Sequence, residues 1–224
     1  MDDIAARYSE LAKRAESGDA QAAKELYRAL SSCDDIPRTQ DQIDVRLSWA
    51  QAEYGAQSSQ YQQQQDFLSR QVKRCSVLTP VQQASYRSWL EKAADLGDPQ
   101  AKLDYVLGAA PHSALDNPAY AAELLRYRDK AKAFLNEELA AGSVDALLTA
   151  SSAYGYNSLL PHDDVQQYAY LYAYVLATNQ QEPYLTTLRA IEGRLSAENL
   201  NDARRTGEGI FQSCCLSDNR PNQK

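Results

Sequence analysis

WLEKAADLGDPQAKLDYVLG, residues 89–108, is the stretch that decides the fold. Its first half has apolar residues at helical spacing and ends at Gly97, and glycine is the usual residue just beyond a helix C-terminus. Asp98-Pro99 follows at once and supplies a capping residue and a proline suited to the first helical position. The stretch therefore predicts two helices joined by a very short turn.

Two further stretches repeat this pattern. LAKRAESGDAQAAKELY (11–27) and LNEELAAGSVDALLTAS (135–151) also place glycine after a helix, then an Asp or Ser cap, then alanine four residues after the glycine. The three alanines are Ala22, Ala101 and Ala146. A small residue at this position lets the two helices of a pair approach closely. Antiparallel pairs of this kind stack into a solenoid, because each pair buries its apolar face on the next.

Helix start signals recur along the rest of the chain. Capping boxes at 39–42 and 79–82, a proline after Asn117 and an Asp cap at Asp163 each precede a segment of helical periodicity. The predicted helices lie near 3–17, 20–32, 40–57, 60–75, 80–96, 99–109, 118–141, 143–154, 163–179, 184–194 and 197–213. The expected fold class is all-α, an α/α solenoid of stacked antiparallel helix pairs with about ten to eleven helices.

YAYLYAYV, residues 168–175, fits two kinds of secondary structure. Its tyrosines alternate with smaller residues, which is the period of a β-strand. As a helix, it places Ala169, Ala173 and Ala177 on one narrow stripe that a neighbouring helix could approach closely. An isolated strand among helices would have no partner, so we predict a helix here.

The composition limits the classes of partner. The chain has 224 residues, a net charge of -7 and a pI of about 4.9. An acidic surface repels the phosphate backbone, so we expect no nucleic-acid partner. The apolar runs are far shorter than the roughly 20 residues that cross a bilayer, so we expect no transmembrane segment.

Residues 89–108 resemble a Sel1-like repeat, a relative of the tetratricopeptide repeat. The shared features are an aromatic residue followed by Ala-Ala-x-x-Gly at the end of one helix, then an alanine and Leu-Gly on the next. Asp164 followed by Tyr168-Ala169-Tyr170-x-Tyr172 resembles a second part of the same repeat. The resemblance covers 11–30, 86–108 and 135–178.

The resemblance implies a protein-binding α/α scaffold, commonly bacterial and often located in the periplasm or on the cell envelope. The sequence departs from the family pattern at 34–78, where no Gly-Asp hinge is found. We expect a single domain over residues 1–216 with a degenerate segment at 34–78, and a disordered tail at 217–224.

The residue types that carry chemistry are few. The two histidines, His112 and His162, each follow a proline. Asp163 and Asp164 beside His162 could act as an acid, a base or a metal ligand, but aspartates are preferred at helix N-termini for capping alone, so we favour capping. The sequence lacks His-Glu-x-x-His, Cys-x-x-Cys, Gly-x-Ser-x-Gly and glycine-rich phosphate-loop motifs. We therefore expect a protein that is not an enzyme, with no catalytic residue, cofactor or metal site.

Four cysteines form two different sets. Cys33 and Cys75 lie at predicted helix ends, and a bridge between them would close the segment without a hinge, with a gain of about 3–4 kcal/mol in the chain-entropy model. Two free buried thiols are the alternative. For the adjacent Cys214 and Cys215 we expect one buried and one partly exposed residue, since a vicinal disulfide needs a strained ring.

The expected function is a protein–protein interaction scaffold or adaptor that binds a partner protein or peptide, with a toxin-neutralising role included. Tyrosine is favoured at interfaces because it buries a large area with few rotamers. The candidate partner-binding residues are Tyr120, Tyr127, Tyr170 and Tyr174. Tyrosines that merely fill gaps between alanine-rich helices are one alternative. A cell-wall-directed or penicillin-binding hydrolase on the same scaffold is another.

Location is predicted from the first ten residues, the methionine content and the cysteines. MDDIAARYSE, the first ten residues, has neither a basic region nor an apolar region, and Met1 is the only methionine. Together with a Cys33–Cys75 bridge, these features favour a periplasmic protein whose signal peptide has been removed. A cytoplasmic protein with little methionine is the alternative.

Overall fold

The structure, a computed structural model, describes residues 4–108, 118–156 and 158–215. Every regular element in these ranges is helical, which confirms the all-α class. The α-helices are α1 (Ile4–Glu16), α2 (Ala20–Ser31), α3 (Gln40–Tyr54), α4 (Ser59–Cys75), α5 (Pro80–Ala84), α6 (Tyr86–Asp95), α7 (Pro99–Gly108), α8 (Pro118–Ala140), α9 (Val144–Ala153), α10 (Asp164–Thr178), α11 (Leu185–Glu192) and α12 (Ala197–Cys215). A 3₁₀ turn, Glu182–Tyr184, precedes α11. No described helix is long and apolar enough to cross a membrane.

The helix count differs from the prediction at Ser85, which divides the helix expected over 80–96 into α5 and α6. The Ser85 hydroxyl donates a hydrogen bond of 2.6 Å to the Gln82 carbonyl oxygen. A serine hydroxyl that bonds to nearby backbone competes with the helical hydrogen bonds, so α5 ends after five residues. The described chain consequently contains twelve α-helices rather than ten or eleven.

The three predicted hinges share one backbone geometry. Gly18, Gly97 and Gly142 have φ angles of +100°, +90° and +73°, in the left-handed region that glycine adopts without steric cost. At each hinge the glycine N–H donates to the carbonyl three residues back, and the next N–H donates to the carbonyl five residues back. This is the Schellman motif. The alanines four residues after the glycines are all fully buried: Ala22, Ala101 and Ala146.

Contacts between Cα atoms divide the chain into two compact units, Met1–Asp98 and Pro99–Lys224. The expectation of a single domain over residues 1–216 stays a prediction. The predicted tail at 217–224 lies outside the described residues.

In the first unit, α2 is the central helix and packs against α1, α5 and α6. Leu26 and Leu30 of α2 and Leu90 of α6 are fully buried. Helices α3 and α4 pack against each other as a hairpin. Cys33, just after α2, and Cys75, the last residue of α4, have their sulfur atoms at bonding distance and their Cα atoms 5.6 Å apart. This pairing is the one predicted from the sequence; that it is oxidised in the native protein stays a prediction.

In the second unit, α10 is the central helix and packs against α9, α11 and α12. It contains the segment YAYLYAYV, which is helical as predicted. Ala169 and Ala173 are fully buried, so two members of the predicted small-residue stripe lie in the core. The larger side chains of this core are Tyr168, Leu171, Val175, Leu188 and Ile191.

Each unit also contains a lysine paired with a buried carboxylate. Lys24 Nζ lies 2.5 Å from the carboxylate of Asp98 in the first unit. Lys102 Nζ lies 3.0 Å from Glu138 and 3.0 Å from Glu137 in the second. Burial works to lower the pKa of Lys102, but its hydrogen bonds to the two glutamates outweigh that effect, and the pKa is raised. Lys102 is therefore charged, and both lysines form structural contacts with buried carboxylates.

Candidate interaction surfaces

Two of the four predicted partner-binding tyrosines share one face of α10. Tyr170 and Tyr174 are four residues apart and both are half-buried. The Tyr170 ring stacks on Tyr154 with centroids 5.8 Å apart, and the Tyr174 ring meets Tyr184 edge-on at 5.3 Å. The two residues therefore present part of each ring, held in place by a second tyrosine.

The hydroxyl groups of these tyrosines stay protonated at neutral pH. Burial raises the pKa of Tyr170, with a smaller contribution from Tyr154. The hydrogen bond with Tyr184, followed by burial, raises the pKa of Tyr174 to about 12. The Tyr170 hydroxyl can therefore donate a hydrogen bond to a bound partner, whereas that of Tyr174 is engaged with Tyr184.

The other two predicted tyrosines are not part of this face. Tyr127 is only 5% exposed, and its hydroxyl donates to the carbonyl oxygens of Tyr105 and Val106. It is a core residue, because α7 and α8 pack around its ring, and it has no surface to offer a partner. The side chain of Tyr120 lies outside the described part of the structure.

His162 belongs to a small polar cluster with Asp164, its near neighbour in the sequence. Its ring stacks on Tyr156 with centroids 3.7 Å apart, and its Nε2 lies 3.4 Å from Asp164. Asp164 also accepts hydrogen bonds from the Arg194 guanidinium, at 2.9 and 3.1 Å from Nε and 2.5 Å from Nη2. The hydrogen bond from Arg194 is the main cause that lowers the pKa of Asp164. The Asp164 carboxylate is thus held between Arg194 and His162.

Asp163 caps α10 as predicted. Its carboxylate accepts hydrogen bonds from the backbone N–H groups of Val165 and Gln166. His112 lies outside the described residues. Within the ranges that the structure describes, no three His, Cys, Asp or Glu side chains are grouped so as to hold a metal ion.

Two large apolar residues are exposed on one face of α3. None of the fifteen residues of this helix is buried. Trp49 is 69% exposed and Val45 is 48% exposed, and the four-residue spacing places them on the same face. Ile43 and Leu47, on the opposite side, are half-buried. Helix α3 therefore covers apolar side chains on one side and presents others to solvent.

A groove runs between this face of α3 and the loop that precedes it. Its volume is about 620 Å³. The lining residues are Asp34, Asp35, Ile36, Pro37, Arg38, Asp41, Gln42, Val45, Arg46 and Trp49. We call this feature the α3 groove. It belongs entirely to the first unit and lies beside the Cys33–Cys75 pair.

Several contacts hold the walls of the α3 groove in place. The Arg46 guanidinium donates a hydrogen bond of 2.6 Å to the Asp35 carbonyl oxygen, which ties the loop to α3. The Tyr86 hydroxyl donates to the Asp34 carboxylate at 2.9 Å. Thr39 and Gln42 form the predicted capping box at the start of α3. The loop is therefore connected at both ends by hydrogen bonds as well as by the cysteine pair.

Sequence reasoning missed the α3 groove, although a signal for it exists. Ile43, Val45, Leu47 and Trp49 alternate with polar residues, so on a helix they point to two opposite sides. A helix with apolar residues on both sides has one side left over after packing on a single neighbour. This pattern in a segment without a hinge could have indicated an exposed apolar surface.

At the C-terminus the structure differs from the expectation for the adjacent cysteines. Cys214 and Cys215 have their sulfur atoms at bonding distance, and both residues are half-buried. The expectation of one buried and one partly exposed residue is wrong, because the last turn of α12 leaves the two side chains similarly covered.

No protein-family model matches the chain, and neither the curated proteins nor the solved structures include a significant match.

Proposed function

We propose that this protein is a non-catalytic scaffold or adaptor that binds another protein or a peptide on the surface of its helices. The observation that carries the proposal is the face of α3, where Trp49 and Val45 are exposed together. Adjacent exposed apolar residues of this size are typical of interaction sites. Tryptophan is also among the residues that contribute most to binding energy when a partner covers them.

The tyrosines of α10 support the same function in the second unit. Tyr170 and Tyr174 are half-buried and are packed against Tyr154 and Tyr184. A side chain fixed by a neighbour loses little conformational freedom on binding, so less of the binding energy is lost to ordering. This face is a second candidate contact surface for a partner.

The proposed architecture is an α/α solenoid of the Sel1-like type, in which helix pairs stack on one another. It is supported by three hinges with the same Schellman geometry, each followed by a buried alanine. Repeated helix pairs of this kind commonly provide extended binding surfaces. The Sel1-like resemblance, which comes from the residues alone, supports a bacterial origin for this protein. Toxin neutralisation is one form that the proposed binding function could take.

The proposed location is the periplasm. Its support is the Cys33–Cys75 pair, which is fully buried at Cys33 and has the Cα separation of a disulfide. Structural disulfides persist in oxidising compartments and are rare in the cytosol.

Site-specific photo-crosslinking tests the proposed function. Trp49 is replaced by a photoreactive phenylalanine derivative, and the same replacement at Leu125 of α8, which is 60% exposed, is the matched control. In cells of the source organism, irradiation should give a discrete higher-mass adduct from position 49 and none from position 125. The proposal fails if positions 49, 170 and 174 all give no adduct.

A further inference from the structure

We propose that the α3 groove binds a basic peptide segment of the partner, with an arginine or lysine side chain placed over the indole ring of Trp49. This inference rests on the proposed function and names the chemistry of the partner at that surface.

The size of the groove suits a short stretch of peptide. A volume of about 620 Å³ lies within the range of roughly 300–1,000 Å³ that is usual for ligand sites. One wall is the face of α3 with Val45 and Trp49, and the other is the loop with Ile36 and Pro37. These apolar walls can cover the aliphatic part of a long side chain while its charged end remains near water.

The charge around the groove is negative. The groove's lining includes three acidic side chains, Asp34, Asp35 and Asp41, and two basic ones, Arg38 and Arg46, and Arg46 is hydrogen-bonded to the Asp35 carbonyl oxygen. The basic residues of the hairpin's other helix, Arg70, Lys73 and Arg74, do not line the groove. A peptide with positive charge is therefore attracted to this surface, and an acidic one is repelled.

Two of the groove's carboxylates are available to such a peptide. The third carboxylate of the groove, Asp34, accepts a hydrogen bond from Tyr86. The carboxylates of Asp35 and Asp41, in contrast, form no hydrogen bond or ion pair with any residue that the structure describes. Carboxylates bind guanidinium and ammonium groups through strong charge-assisted hydrogen bonds.

The exposed indole supplies the second element of recognition. Trp49 is the aromatic residue in the groove's lining, and most of its surface is exposed to solvent. Tryptophan is the best aromatic partner for a cation, and the attraction grows as the pair is covered from water. A cationic side chain with an aliphatic stem can contact the indole ring, pack on the apolar walls and form hydrogen bonds with the carboxylates at the same time.

The groove is also held ready for binding. The Arg46 hydrogen bond to Asp35 and the capping box at Thr39 fix the loop on α3. A preformed site avoids much of the entropy loss that ordering would impose on binding.

Peptide selection tests the inference directly. The full chain, unreduced, is immobilised and used to select from a phage library that displays random peptides of about twelve residues. We expect the enriched peptides to contain several Lys or Arg residues beside apolar ones. The best of them is synthesised, and its affinity is measured by calorimetry at low and high salt.

Binding of the synthetic peptide should weaken at least about tenfold with Trp49→Ala and should also weaken with Asp35→Asn. Higher salt should weaken it further. Two matched controls, Leu125→Ala and Asp66→Asn of α4, should leave the affinity unchanged because these exposed residues do not line the groove.

Three results would overturn the inference, and they separate it from the proposed function. Neutral or acidic peptides whose binding depends on Trp49 would show that the partner chemistry is wrong while the function stands. Basic peptides whose binding is unchanged by Trp49→Ala and by Asp35→Asn would show that the groove is not their site. Failure to enrich any peptide, together with no crosslinked adduct from positions 49, 170 and 174, would contradict both proposals.

Discussion

Gly207 of α12 lies against the backbone of Ala169 in α10. A Cβ atom added to Gly207 would be 2.7 Å from the Ala169 carbonyl oxygen and 3.0 Å from Cδ1 of Tyr172. Real Cβ atoms essentially never approach a carbonyl oxygen so closely. The two helices therefore touch along a line of small residues, and Gly207 is fixed by this contact rather than by its backbone angles.

Gly207→Ala should lower the free energy of unfolding by about 1–3 kcal/mol, because the added methyl group forces α12 away from α10. Alanine is otherwise the better helix former, by about 1 kcal/mol. The change therefore has the opposite sign to the one that helix propensity predicts. Urea denaturation followed by circular dichroism measures it.

The matched control is Gly209→Ala in the same helix. A Cβ at Gly209 meets nothing within 4 Å. This variant should therefore gain stability, by about 0.5–1 kcal/mol. Equal effects of the two substitutions would contradict the close packing of α10 and α12.

The two glutamates on Lys102 provide a second test. Both carboxylates lie 3.0 Å from its Nζ, but the Glu137 side chain is 58% exposed and that of Glu138 only 6%. Glu138→Gln should cost about 1–3 kcal/mol, since it leaves a half-buried lysine with a weaker partner. Glu137→Gln should cost at most about 1 kcal/mol because water replaces the contact. Thermal denaturation of both variants compares them, and a larger loss from Glu137→Gln would count against the described packing.

Arg194→Gln should raise the pKa of Asp164 toward the ordinary value for aspartate. In the folded protein the hydrogen bond from Arg194 holds this pKa below the unfolded value, which is near 4. The pair therefore contributes stability above about pH 4, and that stability is lost as the pH falls through the lowered pKa. A carboxyl-carbon NMR titration of the folded protein measures the pKa of Asp164 directly.

Stability measurements complement that titration. Arg194→Gln should be less stable than the wild type at pH 7, and the difference should shrink as the solution is acidified below pH 4. Arg205→Gln, which removes an exposed pair with Asp202, should change little at any pH. An Asp164 pKa that does not move in Arg194→Gln would refute the role given to the arginine.

The Cys33–Cys75 pair closes a segment with a sequence separation of 42 residues. Replacing both cysteines by alanine should lower the free energy of unfolding by about 3–4 kcal/mol, mainly because the unfolded chain gains freedom. Mass spectrometry of the unreduced, digested protein should recover the two peptides linked. If both cysteines react freely with an alkylating reagent before reduction, the bridge is absent and the cytoplasmic alternative is favoured.

Much of the fold could be predicted because local rules and packing agree. The hinge glycines, the capping boxes at Thr39 and Thr79 and the cap at Asp163 all place helix ends close to where the structure has them. These signals depend on residues only a few positions apart, so they can be read without knowing the tertiary fold. Ser85 was missed because a serine is compatible with both a helix interior and a helix end.

The candidate site was less predictable because exposure depends on packing between distant helices. Tyr127 and Tyr174 look alike in the sequence. In the structure α7 covers Tyr127, whereas Tyr174 on α10 stays half-exposed. The contacts of His162 with Tyr156 and Asp164 depend equally on the path of the loop before α10. The residue type alone led to the prediction that tyrosines contact a partner. Only the tertiary structure separates tyrosines in the core from those at the surface.

The affinity of the partner for two surface variants tests the binding role of α3 most directly. The protein that crosslinks to position 49 is purified and titrated calorimetrically against Trp49→Ala and Leu125→Ala, each first shown by circular dichroism to be as helical as the wild type. Trp49→Ala should weaken binding at least about tenfold, as expected for the loss of a central aromatic anchor, and Leu125→Ala should bind like the wild type. Equal affinity of both variants and the wild type would contradict a binding role for this surface.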